Sequence, residues 1–318
     1  MIASLRDAAR AHLPAYGLSA LAPVSLLNHS ENTTFLIGEK LVMRIHRVGY
    51  HTRNGIASEL AWMEALGRQT PIRTPRPIAA LSGELITEVP VAGGEPRHCV
   101  VFEFLEGREP SEADLASAYR LLGEISARFH RQVEGWALPS GFERLTWDFD
   151  HMLGGSPNWG DWHDAPFLDA RAIGLLERQA SAIERRLARF GKGRDRFGLI
   201  HADLRLANLL LHEGSIRVLD FDDSGFGWFL YDLASALSFM EDRPDIGQLI
   251  ATWLEGYRTV RPLSAVEEAE IGTFLMLRRM VILAWMGTHA ETDLAKSLGA
   301  DYVAGSCRLA EKYLSDLG

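Results

Sequence analysis

The stretch LIHADLRLANLLLHEGSIRVLDFDDSGFGWFLYDLA, residues 199–234, decides how the chain is read. His201, Asp203, Asn208, Asp220 and Asp232 fall in it at fixed intervals. Asp203 and Asn208 sit five residues apart in a segment too polar for a core, and Asp220 follows twelve residues later, at the end of the apolar run Ile216, Val218, Leu219. The stretch LLLHEGSIRVLD predicts two short strands, Asn208 to His212 and Ile216 to Asp220, with Glu213-Gly214 as their turn. Such a hairpin brings Asn208 and Asp220 to the same end. One carboxylate is then left to receive a proton, while an amide and a second carboxylate can hold a metal.

This division of labour matches phosphoryl transfer. An alcohol is a weak nucleophile and a nucleotide polyphosphate carries charge that must be neutralised, so the protein positions groups more than it reacts. Asp203 is suited to orienting a hydroxyl and accepting its proton; Asn208 and Asp220 offer the hard oxygens that Mg²⁺ prefers. Taken singly, each of these residues also fits a turn or a helix cap. It is the whole set, placed on the expected hairpin, that points to chemistry.

HADLRLAN is similar to the HxDxxxxN catalytic loop of the aminoglycoside phosphotransferase and choline kinase superfamily, and VLDFDDSGFGWFLYDLA resembles its metal-binding strand and following helix. The resemblance covers most of the chain and is nearest to the branch of type II homoserine kinases and stress response kinase A. It implies an α+β, bilobal, protein-kinase-like fold: a small antiparallel sheet in the N-terminal lobe and a mainly helical C-terminal lobe.

The resemblance also implies roles for residues outside the stretch. Adenine is expected against the connector VFEFLEGREP, at the backbone of Glu103 and Leu105. Ser30 and Asn32, in Asn28-His29-Ser30-Glu31-Asn32, occupy the place of the phosphate-covering loop, although that loop has no glycine and its residues also suit a polar hairpin turn. Arg44 stands where the family usually has a phosphate-pairing lysine, with Glu59 as its helix partner; an arginine brings a planar fork in place of a point charge. The same pair fits a surface ion pair of little consequence. Within the loop, Ala202 replaces a common glycine and Arg205 is expected near the phosphates. His201 is expected to buttress the loop, Asp232 to cap the start of DLASALSF and hold the catalytic loop, and Asp222 to assist the metal or contact the substrate.

The remaining sequence is consistent with this picture. A chain of 318 residues, 47% hydrophobic, can bury the core of a two-lobed enzyme. A formal net charge of −9 with no Lys/Arg block argues against a nucleic-acid partner. Cys99 and Cys307 lack metal-ligand spacing, MIASLRDAARAHL carries charges too early for a signal peptide, and Arg278-Arg279 interrupt the apolar run from Phe274 to Trp285. The expectation is therefore a reduced, cytoplasmic setting without membrane insertion.

Residues 23–46, containing VSLLNHSENTTFLIGEKLVMRIH, alternate in the manner of three strands with a turn at Gly38-Glu39-Lys40. A helix is predicted over Ser58 to Leu66 with Ser58 as N-cap, then strands near Glu84 to Val89 and Cys99 to Phe104. Beyond Gly107 helices are expected at about 111–133, 169–190, 230–240, 245–258, 264–289 and 293–315, dividing the chain into lobes 1–104 and 105–318.

The acceptor is less legible. LTWDFDHMLGGSPNWGDWHDAPF, residues 145–167, sets Trp147, Trp159 and Trp162 among Asp148 and other carboxylates, a composition able to bind a cationic amine or simply to pin an irregular insert. Arg278 and Trp285 are further acceptor-site candidates, an arginine there suiting a substrate carboxylate. The reading that results is a Mg²⁺-dependent, ATP-consuming phosphotransferase acting on the hydroxyl of a small, amino-containing metabolite. A Ser/Thr protein kinase of the stress response kinase A type uses the same parts. A silent nucleotide-binding scaffold is disfavoured, because it has no need of Asp203.

Overall fold

The computed structural model describes residues 2–29 and 31–317. The chain forms two compact units: the first comprises Met1–Glu109, Leu138–Arg144 and Leu210–Asp222, the second Pro110–Ala137, Leu145–Leu209 and Asp223–Gly318.

The first unit is built on an antiparallel sheet. After helix α1 (Ile2–His12) come strands β1 (Val24–His29), β2 (Thr33–Ile37) and β3 (Leu41–Ile45), helix α2 (Arg53–Gln69), then β4 (Pro77–Ile78), β5 (Ile86–Val89) and β6 (Arg97–Glu103). Their order is β1-β2-β3-β6-β4, with β5 also paired to β6. Alternating apolar residues, Phe35 and Ile37 on β2, Met43 and Ile45 on β3, Cys99 and Val101 on β6, turn one face inward. Leu5, Ala8 and Ala9 on α1 meet that face at helical spacing.

Helix α2 begins at Arg53, ahead of the expected Ser58 start. Its N-cap is Thr52, whose side chain accepts from Gly55 N at 2.9 Å. Ser58 is a buried residue inside the helix, its Oγ donating to Asn54 O at 2.9 Å. The dipeptide Asn54-Gly55 reads locally as a turn, and the packing of α2 overrides that preference.

Strands Leu209–His212 and Ser215–Val218 pair through a turn at Glu213 (φ 48°) and Gly214 (φ 76°). Two successive positive φ angles are what a tight right-twisted hairpin requires. Asn208 stands immediately before the first strand and Asp220 two residues beyond the second.

The second unit is mainly helical: Leu115–Gly135, Ala170–Phe190, Leu230–Ala236, Ile246–Arg258, Ile271–Thr288 and Asp293–Asp316 are its longer helices. The helix expected over 264–289 is divided, because Ser264 and Glu267 form a capping box that starts a separate turn, Ala265–Glu268. By length and composition Ile271–Thr288 could cross a membrane, but 83% of it is buried inside the protein. A small sheet, unforeseen in the sequence, places Leu145–Trp147 parallel to Gly225–Trp228, which in turn runs antiparallel to Phe197–Ile200. At Gly225 a Cβ would collide with the carbonyl of Leu145, so only glycine allows these strands to approach. This sheet delivers the chain to His201.

Candidate active site

In the first unit, Arg44 on β3 meets Glu59 on α2 with both carboxylate oxygens, Nη2 to Oε1 at 2.8 Å and to Oε2 at 2.7 Å. Both side chains are buried, and the guanidinium lies 5.1 Å from the centre of the Phe102 ring and 3.8 Å from Asp220. Burial alone would make the Arg44 cation easier to discharge; the carboxylates of Glu59, Asp222 and Asp220 outweigh it and raise its pKa.

Asp220 itself has φ 57°, a left-handed conformation that few non-glycine residues adopt outside functional loops. The segment after it is held firmly. Arg144 donates to the carbonyls of Phe221 (3.1 Å), Asp222 and Gly55 (3.0 Å), and His51 Nε2 donates to Asp222 O at 2.7 Å. The Asp222 side chain is buried with its Oδ1 3.6 Å from both His46 and His51. Burial opposes its ionisation, yet the imidazole of His46 and the charge of Arg44 hold its carboxyl well below the usual range.

In the second unit the loop after Phe197–Ile200 is fixed by Asp232. Its Oδ1 accepts from Ala202 N at 2.8 Å and its Oδ2 from His201 N at 3.3 Å. His130 Nε2 donates to Oδ2 at 3.0 Å, and its Nδ1 meets Tyr257 OH at 2.9 Å. Asp232 lies inside helix Leu230–Ala236 and caps the catalytic loop; Phe229 is the N-cap of its own helix, contrary to the expected cap. His201 is buried and its Nδ1 accepts from Asp203 N at 3.4 Å.

Asp203 is thereby presented with its carboxylate among donors. Arg278 Nη2 reaches Oδ1 at 2.6 Å, Arg205 Nε contacts Oδ1 and Oδ2 at 3.0 and 3.1 Å, and Asn208 Nδ2 contacts Oδ2 at 3.0 Å. Burial on its own would raise the Asp203 pKa, but the charges of Arg205 and Arg278 win and hold it below the ordinary carboxylate value. A charged, oriented carboxylate next to an amide is the arrangement that a phosphotransferase loop provides. Residues 24–263 match the phosphotransferase enzyme family. The chain belongs to that family.

Its relatives sharpen the point. A solved structure of a microcompartment-associated aminopropanol kinase is 42% identical, with a TM-score of 0.90 over 97% of each chain. The amicoumacin kinase hAmiN, solved with AMP-PNP, Ca²⁺ and Ami, is 25% identical with a TM-score of 0.74, over 92% of this chain and 88% of that one. A homoserine kinase of Gluconobacter oxydans is 26% identical over 74% of each. The antiparallel sheet followed by helices is the protein-kinase-like fold of these phosphotransferases.

Several expected site residues of this family member are placed otherwise than the sequence suggested. Ser30 lies outside the described residues. Asn32 is buried and its Oδ1 accepts from Arg47 N at 3.0 Å, bracing the strand end. The Glu103 N–H donates to Arg76 O at 2.9 Å, so of that peptide only the carbonyl is left for a nucleotide; Leu105 is buried.

Of the two readings of the tryptophan-rich segment, burial is the one that fits Trp147 and Trp162. Trp147 is wholly buried with Nε1 donating to Asp223 O at 2.7 Å, Trp162 is buried against His163, and Trp285 is buried and stacks on His289. Asp148 caps a short helix and pairs with Lys192 at 2.6 Å; burial opposes its ionisation, but Lys192 and His151 bring its pKa down to about 2. Of the group, Trp159 lies beside Arg278, its ring 5.1 Å from that guanidinium. Arg278, expected to meet a substrate carboxylate, is spent on Asp203 instead. Two arginines in an apolar helix signalled buried charge, but nothing in the sequence named their partners.

The oxygen donors suit a hard cation. Asn208 turns its amide nitrogen to Asp203, donating also to Asp203 O at 2.8 Å, so its oxygen is the atom that could ligate a cation. Half of the Asp220 side chain is exposed. Among the described residues no group of three or more His, Cys, Asp or Glu could hold a metal unaided. Mg²⁺ in kinases is bound by one or two side chains together with substrate phosphates.

Proposed function

We propose that the chain transfers the γ-phosphoryl group of ATP to the hydroxyl of a small amino alcohol. The observation that carries the chemistry is the buried Asp203 carboxylate, contacted by Arg278 and Arg205, with Asn208 beside it. The alcohol oxygen bonds to phosphorus as the bond to the bridging oxygen of ADP breaks, and the hydroxyl proton passes to an Asp203 oxygen. Asn208 and Asp220 would supply oxygens to Mg²⁺, which neutralises the polyphosphate when bound. Arg44, held by Glu59, is assigned to the phosphates, and the strand end at Glu103 to Leu105 to adenine.

The acceptor class rests on the likeness to the aminopropanol kinase, at 42% identity over 97% of both chains. A coupled assay of ADP release over amino alcohols, hydroxy amino acids, aminoglycosides and a Ser/Thr protein substrate tests it. The highest kcat/KM should fall on a small amino alcohol. A clear preference for a protein or an aminoglycoside would replace this acceptor with that one, and no turnover on any hydroxyl would remove the kinase reading.

A further inference from the structure

The environment of Asp203 contains a conflict that a working base has to resolve. An ionised carboxylate offers about four lone-pair positions. Arg278, Arg205 and Asn208 direct contacts to both oxygens, two to Oδ1 and two to Oδ2. A general base must itself accept a hydrogen bond from the hydroxyl it activates. One of the present donors therefore has to give way when the acceptor arrives.

The three donors are held very differently. Asn208 is buried and tied a second time, to Asp203 O. Arg278 has 1% of its side chain exposed, and three further bonds fix its guanidinium: Nε to Ser238 Oγ at 2.9 Å, Nη1 to Tyr231 OH at 3.1 Å, and Nη1 to Ala202 O at 3.3 Å. Moving it would strand a buried cation, which is strongly unfavourable. Arg205 is 29% exposed, shares one N–H between two oxygens, and otherwise faces the Phe239 ring at 5.7 Å. A shared, partly solvated contact is the weakest of the set.

We propose that Arg278 is a positioning residue that fixes Asp203 throughout the reaction, and that Arg205 is the displaceable donor whose place the acceptor hydroxyl takes. This deepens the phosphotransfer reading and rests on it. Arg278 touches no reacting atom; it acts through the carboxylate. Its guanidinium also ties Asp203 to the backbone of Ala202 and to helix Leu230–Ala236 through Tyr231.

Steady-state kinetics of full-length variants separate the two roles. Arg278→Met should lower kcat by about 100-fold with the Kd for MgATP unchanged, since a positioned base contributes roughly 10²–10⁴-fold. Arg278→Lys should recover about a tenth or more of the lost rate by restoring one charged donor, and it keeps the test alive should the methionine variant fail to fold. Arg205→Met should lower the KM for the acceptor several-fold, since a competitor for the Asp203 oxygens is gone. The proposal is overturned if Arg278→Met keeps kcat within about threefold of the parent, if lysine restores nothing while MgATP still binds, or if Arg205→Met raises the acceptor KM. Absence of turnover by the unmodified protein on every alcohol would instead sink the phosphotransfer reading, and that result precedes any variant.

Discussion

Arg278 Nη2 lies 2.6 Å from Asp203 Oδ1, both residues belonging to the second unit. A charge-assisted contact this short, made by a guanidinium buried in an apolar helix, fixes the direction of the carboxylate and, together with Arg205, favours its charged form. Most of the functional expectations follow from what surrounds this pair.

The proposed role of Asp203 is to take the hydroxyl proton. Asp203→Asn keeps the side chain's shape but cannot take the hydroxyl proton, and its amide nitrogen gives up the contacts that one carboxylate oxygen accepts from Arg278, Arg205 or Asn208. Phosphorylation should fall by at least about 10³-fold, with MgATP binding by calorimetry within about threefold of the parent. Turnover within tenfold would remove Asp203 from that role.

Arg44 and Glu59 form a buried ion pair, and removing Glu59 leaves the buried guanidinium without its hydrogen-bonded carboxylate, with the longer contact to Asp220 remaining. Glu59→Gln should therefore destabilise the fold by about 3 kcal/mol in urea unfolding and raise the KM for MgATP. Arg44→Lys retains charge but loses the planar group that contacts Glu59 through Nη2, faces Asp220 through Nη1 and lies over the Phe102 ring, so it should show the KM effect with a smaller loss of stability. An unaltered KM in both variants would dissociate the pair from the nucleotide.

Ala202 adopts φ 65°, in the left-handed region that favours glycine. Ala202→Gly relieves left-handed strain and should raise stability by about 0.5–1 kcal/mol while leaving kcat close to the parent. A loss of stability would mean that the alanine methyl packs usefully in the loop.

Buried histidines make the fold acid-sensitive. Burial lowers the His130 pKa, with Asp232 opposing, and pushes His51 down to about 4. Both are then neutral in the fold, whereas the unfolded chain protonates them below about 6.5. The unfolded state thus binds more protons, so their contribution is complete above about pH 6.5 and declines as pH falls toward about 4. The melting temperature should drop over that window, and His51→Gln should flatten part of the drop. A melting temperature that holds or rises on acidification would contradict the assignment.

Local signals carried much of this architecture. The strands around Phe35 and Met43 announced themselves by alternation, and the Glu213-Gly214 turn by its residue types. The spacing of Asp203, Asn208 and Asp220 marked the loop without any structural help. Other features depended on distant partners. Helix α2 hid its start behind Asn54-Gly55, and the pairing of Leu145–Trp147 with Gly225–Trp228 joins segments far apart in the chain. The tryptophans at 147 and 162 share their composition with a cation cage and serve burial instead. Arg278 was visible as a charge in an apolar helix, but its partner could be learned only from the packing.

The most direct test is ³¹P NMR of Mg²⁺, ATP and a small amino alcohol such as aminopropanol, incubated with the protein and in parallel with Asp203→Asn. A phosphomonoester resonance should grow in step with ADP in the first sample and stay absent in the second. ADP accompanied only by inorganic phosphate, or the same phosphomonoester from Asp203→Asn, would contradict phosphoryl transfer to a hydroxyl through Asp203.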